Sequence, residues 1–412
     1  MGSSLSSRRR WLIFALALTA GVLNLVDRQI ISVLKPTIAA DLGWSDDDYG
    51  TLAAWFQGGA AVGFLIAGWI VDRLGAKWAN AAGVAAWSIM AMTHGWAHSF
   101  AQFVLCRTGL GATEAMGTPS TVKTIAVLFP PASRSLGFGL SNAMNSLGAI
   151  LAPLAIPFVA LVWGWRGAFI AAGVVGIGWV LAWLLASRGV DFGDRVSVGS
   201  GGARRDGRPF LLERNTWTIA VGKVLSDATW WLMLFWMPDY FHRQFGLSGT
   251  DLGPPLALAY CGSMAGSLLS GYAANTMLAR GISANRTRKT LMLASALCVV
   301  PVPLALHVDA YWPAVALLAL ALAGHQGFST NLFGLIADVT PRNRVGRVTG
   351  FGAFCGNMGG AAISKVSGLV LAAGLGYGPL FGFAACSYLL ALGWIQLTMR
   401  RIVSVDEPQT AA

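Results

Sequence analysis

The sequence predicts an all-α membrane protein whose twelve transmembrane helices form two six-helix bundles. Three observations predict it. Of 412 residues 55% are hydrophobic and only 11% charged, with a mean hydropathy of +0.60, too little charge to cover a surface facing water. Apolar runs of about 20 residues or more, each long enough to span ~30 Å of hydrocarbon, recur along the whole chain. The basic residues gather in alternate loops, the pattern that orients helices in a membrane.

The first run, 11–35, follows Arg8, Arg9 and Arg10 and carries Asp27 and Arg28 near its middle. It lacks a small-residue cleavage site and reads as a retained helix rather than a signal peptide. Runs 49–71 and 78–97 are joined by Gly68-Trp-Ile-Val-Asp72-Arg73-Leu-Gly75-Ala-Lys77, where glycines permit a tight turn and the charges form a cytoplasmic latch. The fourth run, 100–128, holds Arg107 and Glu114, and runs 136–161 and 167–187 complete a first bundle, residues 1–187.

Residues 188–215 read as a cytoplasmic linker, partly flexible: Gly199-Ser200-Gly201-Gly202 lies among arginines and acids. Runs 216–241, 252–278, 289–308, 311–337, 346–374 and 377–399 then form a second bundle within 216–412. Arg134-Ser-Leu-Gly137-Phe-Gly139 after run four is matched by Arg347-Val-Thr-Gly350-Phe-Gly352 after run ten. Six plus six helices with matching linkers imply a parallel repeat about an axis along the membrane normal.

With Arg8 to Arg10 cytoplasmic, the opposite loops hold only Lys35, Arg166 and Arg243, and Arg28, Arg107, Lys123, Lys223 and Lys365 fall inside runs. Both termini are then cytoplasmic, and the net charge of +11 is an orientation signal rather than a nucleic-acid footprint. Cys106, Cys261, Cys298, Cys355 and Cys386 lie within runs at no metal-type spacing, so neither a disulfide framework nor a metal is expected.

A charge at the bilayer centre costs roughly 2.5–3.5 kcal/mol. Asp27, Arg28, Arg107 and Glu114 therefore mark a polar cavity. Arg107, Gly111, Glu114 and Thr118 form one helical stripe, and Asn24, Asp27, Arg28 and Ile31 another. With Gly109 and Gly111 thinning the wall, the first stripe is expected to face a water-filled path. The plainer account makes these charges structural pairs, Arg107 with Glu114 among them, but a buried pair returns much of its Coulomb energy as desolvation.

On these residues the chain resembles a known family. Twelve helices, a central loop and the Gly68 to Lys77 motif are similar to the major facilitator superfamily. Asn24-Leu-Val-Asp27-Arg28-Gln29 with Leu34-Lys-Pro36-Thr, Arg107-Thr-Gly-Leu-Gly-Ala-Thr-Glu114-Ala, and Gly324-His325-Gln326 resemble its anion:cation symporters, hexuronate transporters in particular. The chain departs from them at Leu25 and Val26, where a tyrosine is common, and at Met116-Gly-Thr118-Pro119, where Trp-Pro often follows Glu-Ala. The resemblance implies a bacterial inner-membrane importer of a hexuronate such as glucuronate or galacturonate. It would work by proton symport and alternating access, as a monomer among lipids, with the proton gradient as energy source and no cofactor.

In that mechanism Asp27 and Glu114 carry protons, Arg28 and Arg107 grip a carboxylate, and protonation of an acid frees an arginine. Gln57, Asn142, Asn145, His325, Gln326, Asn331 and Asn357 are candidates for sugar hydroxyls, with interhelical hydrogen bonding as the alternative. Ser329 is a weaker one. His94, His98, His242 and His307 read as interfacial, and Lys123 and Lys223 as snorkelling. Lys365 is deeper, with Asp338, Asp227 or a substrate carboxylate as partners. Other classes remain in view: a symporter of an aldonate, a tartrate-like diacid or an aromatic carboxylate, and a cation or drug exporter. No catalytic motif suggests an enzyme.

Overall fold

The computed structural model describes residues 7–129, 134–190, 192, 210–340 and 344–402. Its helices are α1 (Ser7–Val33), α2 (Lys35–Leu42), α3 (Asp46–Thr93), α4 (Phe100–Glu114), α5 (Gly117–Leu128), α6 (Arg134–Ala186), α7 (Arg214–Phe245), α8 (Gly253–Ala279), α9 (Ala284–Val299), α10 (Tyr311–Val339), α11 (Val345–Ala372) and α12 (Gly378–Thr398). The described residues contain no strand. Two elements are double. α3 and α6 each consist of two helices joined at one glycine, Gly75 (φ 77°, ψ 165°) and Gly164 (φ 69°, ψ 173°), in backbone regions that L side chains rarely adopt.

Prolines account for two breaks that hydropathy does not mark. Pro36 opens α2 and separates it from α1 at Leu34, and Pro119 removes the N–H that would bond to Ala115, where α4 gives way to α5. Large apolar side chains lie exposed along the helices, among them Val62, Leu105, Leu161, Leu185, Leu269 and Leu397, as lipid contact requires. Among the described residues five stretches are apolar and long enough to cross a membrane on composition alone: Arg8–Val33, Asp46–Trp96, Ala143–Ala186, Ala284–His307 and Gly378–Thr398. The intervening α7, α8, α10 and α11, of 32, 27, 29 and 28 residues, also have the length.

The chain divides into two compact units, Met1–Ser200 with Gly246–Ala257, and Gly201–Phe245 with Leu258–Ala412. Each contains the same kind of seam. In the first, Gly59 and Gly63 bring the α3 backbone onto α4, so that a Cβ on either would stand 2.2 Å from the Thr108 carbonyl oxygen or 2.5 Å from that of Ala112. In the second, Gly262 and Gly266 bring α8 onto α10, with a Cβ on either 2.1 Å from the carbonyl oxygens of Ala319 and Ala323. Glycines four apart permit this approach without a cavity between the helices.

A second correspondence closes each unit. Lys77 donates to the Ser187 carbonyl just past the end of α6 (3.3 Å), and Lys289 donates to those of Met399 and Arg400 just past α12 (2.9 and 2.6 Å). The lysines are separated in sequence by the same interval as their acceptors, and each places a cation at a helix C-terminus. Arg9 also donates to Ala186 (3.1 Å).

Candidate functional site

Seam and charges meet at Gly111. A Cβ there would stand 2.0 Å from the Phe56 carbonyl oxygen, so α4 lies directly on α3 and its Arg107 guanidinium comes 4.5 Å from the centre of the Phe56 ring. The Arg28 guanidinium, from α1, approaches the same ring at 5.7 Å. Its Nε donates to Glu114 Oε2 at 2.5 Å, the Glu114 side chain being fully buried and that of Arg28 13% exposed. Arg107 is completely buried and Asp27 nearly so, and Asp27 lies in the electrostatic field of Glu114, Arg28 and Arg107. Two basic and two acidic side chains are thus gathered here, Arg28 and Arg107 against one aromatic ring, where each ring–cation contact contributes about 0.5–2 kcal/mol.

Two expectations change here. Gly111 does not thin a wall toward water: it packs on the α3 backbone, and a Cβ on Gly109 would meet the Met90 sulfur at 2.6 Å. Glu114 takes its hydrogen bond from Arg28 of α1 rather than, as the plainer account has it, from Arg107 two turns away on its own helix.

Polar groups without partners surround the charges. Gln57 is wholly buried and neither its Nε2 nor its Oε1 finds a hydrogen bond among the described residues; the same holds for Asn24 Nδ2, Trp87 Nε1 and the second Glu114 oxygen. A buried polar group left unbonded costs about 1–3 kcal/mol. Asn24 and Trp87 meet at Gly117, where a Cβ would stand 3.8 Å from Asn24 Nδ2 and 3.6 Å from the Trp87 ring, and unbonded polar groups of this kind suit a site that receives a polar molecule. Asn145 reaches α1, its Oδ1 lying where a Cβ on Gly21 would be 2.2 Å away. Asn142 belongs to α6, and its side chain lies outside the described residues.

In the second unit the candidates separate. His325 is buried on α10, stacked on Trp230 (4.8 Å, 15°), with Nδ1 2.6 Å from the Tyr388 hydroxyl. That hydroxyl donates to the Ser226 carbonyl (2.9 Å), so His325 Nδ1 carries the donated hydrogen and Nε2 is left as the acceptor. Asn331 is committed to packing: its amide donates to Ser270 on α8 (2.7 Å) and to Gly327 (2.9 Å). Asn357 donates to Ala353 one turn earlier (2.8 Å), and the Gln326 side chain is half-buried.

Lys223 was expected to snorkel. Instead it forms a buried ion pair with Asp227 on α7 (2.7 Å; side chains 10% and 13% exposed). Lys35, expected in an outer loop, is buried against Asp46 (2.8 Å) beneath the Tyr49 ring. His94 is not interfacial: it is fully buried, stacked on Phe169 (4.8 Å, 9°), with Nδ1 2.8 Å from the Met90 carbonyl. The i, i+4 spacing of Lys223 and Asp227 was visible in the sequence. The Asp46 partner of Lys35 and the Phe169 ring stacked on His94 come from other helices and leave no local trace.

At the predicted latch, Gly75 makes the turn while Gly68 faces open space. Asp72 is paired with Lys123 of α5 (3.4 Å), which also bonds to the Val71 carbonyl (3.0 Å). Arg73 stacks over Trp69 (3.9 Å), and Lys77 turns to the end of α6. The charge pairing therefore joins α3 to α5 rather than Asp72 to its neighbour Arg73.

Arginines and acids buried together among helices whose apolar faces suit lipid define the class as a membrane transporter. Residues 16–364 match the Major Facilitator Superfamily, and the chain belongs to that family. It is 30% identical to the "Probable L-galactonate transporter" of Escherichia coli strain K12, over 81% of this chain and 78% of that protein. It is 26% identical to the hexuronate transporter of the same strain, over 92% of both, and 24% identical to the D-galactonate transporter of Escherichia coli O6:H1, over 94% and 96%. Among solved structures, a bacterial homologue of the human lysosomal transporter Spinster superposes with a TM-score of 0.71 over 96% of both chains at 20% identity, a likeness of fold.

Proposed function

We propose that this protein imports a sugar acid by proton symport, with Glu114 and Asp27 as the proton-carrying groups and Arg28 and Arg107 as the carboxylate-binding ones. The observation that carries the reading is the Arg28–Glu114 contact at 2.5 Å beside the buried Arg107. While Glu114 is ionised it occupies Arg28; a proton on Glu114 weakens that bond and releases one guanidinium fork to a substrate carboxylate. Coupling then follows from a shared partner, with no long-range pathway. Gln57, with both amide atoms unbonded, is the first hydroxyl ligand we assign in this unit. The names of the relatives support the substrate class: hexuronate and galactonate transporters are similar across nearly the whole chain.

The protein resides in a bacterial inner membrane with both termini cytoplasmic, the orientation that its basic loops favour. Alternating access moves the substrate, and the turn at Asp72, Gly75 and Lys77 steadies one closed state. A hexuronate is the leading cargo. An aldonate is the second reading, favoured by the 30% identity to an L-galactonate transporter.

Uptake into proteoliposomes under an imposed pH gradient tests the mechanism. Glu114→Gln is expected to exchange substrate across the membrane without accumulating it. Full proton-driven accumulation by that variant removes Glu114 from the coupling. Competition between unlabelled glucuronate, galacturonate and galactonate decides between the two cargoes.

A further inference from the structure

Resting on the sugar-acid reading, we propose that Lys223 and Asp227 form a polyol-binding subsite of the second unit, one that takes neighbouring hydroxyls and rejects a carboxylate. The pair is built into the fold rather than left over from packing. α11 carries glycine where it faces each partner: a Cβ on Gly356 would stand 2.2 Å from Asp227 Oδ2, and one on Gly352 3.5 Å from the Lys223 stem. Ser226 Oγ donates to the other Asp227 oxygen (3.3 Å), which holds the carboxylate in orientation. An apolar pair of similar volume would stabilise the bundle as well or better, because desolvation offsets most of the attraction between buried charges.

The surroundings are those of a hydroxyl-binding face. Lys223 Nζ lies 5.0 Å from the centre of the Phe333 ring, an exposed side chain on α10. Gln326, Thr330 and Phe333 share one stripe of that helix at i, i+4 and i+7. His325 is tied to the same turn of α7 through the Tyr388 hydroxyl, 2.6 Å from its Nδ1, which donates to the Ser226 carbonyl (2.9 Å).

The chemistry follows from donor and acceptor standing 2.7 Å apart. Of two neighbouring hydroxyls, one accepts from the ammonium while the other donates to the carboxylate, and the pair as a whole stays neutral. A carboxylate drawn to Lys223 instead must settle beside that of Asp227, in a low-dielectric setting where like charges repel strongly. The pair thus discriminates by repulsion as much as by attraction.

Competition against uptake of labelled galactonate by the full-length protein in proteoliposomes tests this, with galacturonate as a second monoacid and galactarate and glucarate as diacids of equal carbon number. In the unmodified protein the monoacids should compete about tenfold better or more, the scale of one like-charge contact. Asp227→Asn should raise the diacid-to-monoacid ratio by about tenfold. The neutral double variant Lys223→Gln with Asp227→Asn keeps the shape without a lone buried charge, and should show a smaller rise in the same direction; it stands in if the single variant does not fold. Diacids competing equally in the unmodified protein, or variants in which both classes change together, overturn the subsite while monoacid transport stands. If the unmodified protein takes up no sugar acid at all, the transport reading fails and the subsite with it.

Discussion

Replacing Gly111 by alanine tests whether the seam between α3 and α4 sets the geometry of the charged pocket. The new Cβ would stand 2.0 Å from the Phe56 carbonyl oxygen and 3.0 Å from the Ala60 nitrogen, both backbone atoms that no rotamer change can move. Restoring ordinary contact at 3.4 Å requires the helices to part locally by about 1.4 Å. Strain of this kind costs about 1–3 kcal/mol, partly offset by up to ~1 kcal/mol of helix propensity gained on leaving glycine. The functional effect should be larger. Phe56 moves away from Arg107, now 4.5 Å from its ring, and a displacement near 1 Å in a positioning group lowers rates by about 10²-fold. Gly58→Ala is the control, since a Cβ there meets nothing within 4 Å. Thermal unfolding in detergent and initial uptake rates are the measurements. Gly111→Ala matching Gly58→Ala in both would refute the claim that backbone contact positions the guanidinium groups.

Two further outcomes are expected. Gly75→Ala should lower the unfolding free energy by about 1–3 kcal/mol, because φ 77° and ψ 165° suit glycine alone, whereas Gly68→Ala, in open space, should be close to neutral in the same melt. The Asp41 carboxylate is held below the usual carboxylate range, first by the Trp165 indole N–H and then by Arg166. Its stabilising contribution is therefore present above the ordinary aspartate range and lost as pH falls through its depressed folded value. The fluorescence difference between the unmodified protein and Trp165→Phe should accordingly titrate below 3.8 and flatten in Asp41→Asn; a midpoint above that value contradicts the contact.

The apolar runs were sufficient to locate the membrane helices, because lipid leaves a helix little choice but to satisfy its own backbone. Their ends and breaks were less legible. A hydropathy window averages across Pro36 and Pro119, although both were there to be read as interruptions of the hydrogen-bond ladder. The four central charges stood out because hydrocarbon makes charge conspicuous, yet their pairing did not. The sequence left both acids open to both arginines, with Arg107 and Glu114 as the plainer pair, while the contact formed is with Arg28, 86 residues earlier. The glycine seams were present as Gly59/Gly63 and Gly262/Gly266 and went unread, since small residues in an apolar run give no hydropathy signal. His94 was misplaced for a related reason: the ring that covers it, Phe169, lies three helices on in α6, and no local pattern encodes that stacking.

The glycine seams also bear on how such a protein acquires a different cargo. Where main chain lies directly on main chain, no compressible layer remains to absorb a bulkier residue, so those helix pairs behave as stiff planks. Variation that retunes recognition must accordingly be sought in side chains mounted on the planks, Gln57 on one, Gln326 and Thr330 on the other, while the joints themselves stay fixed.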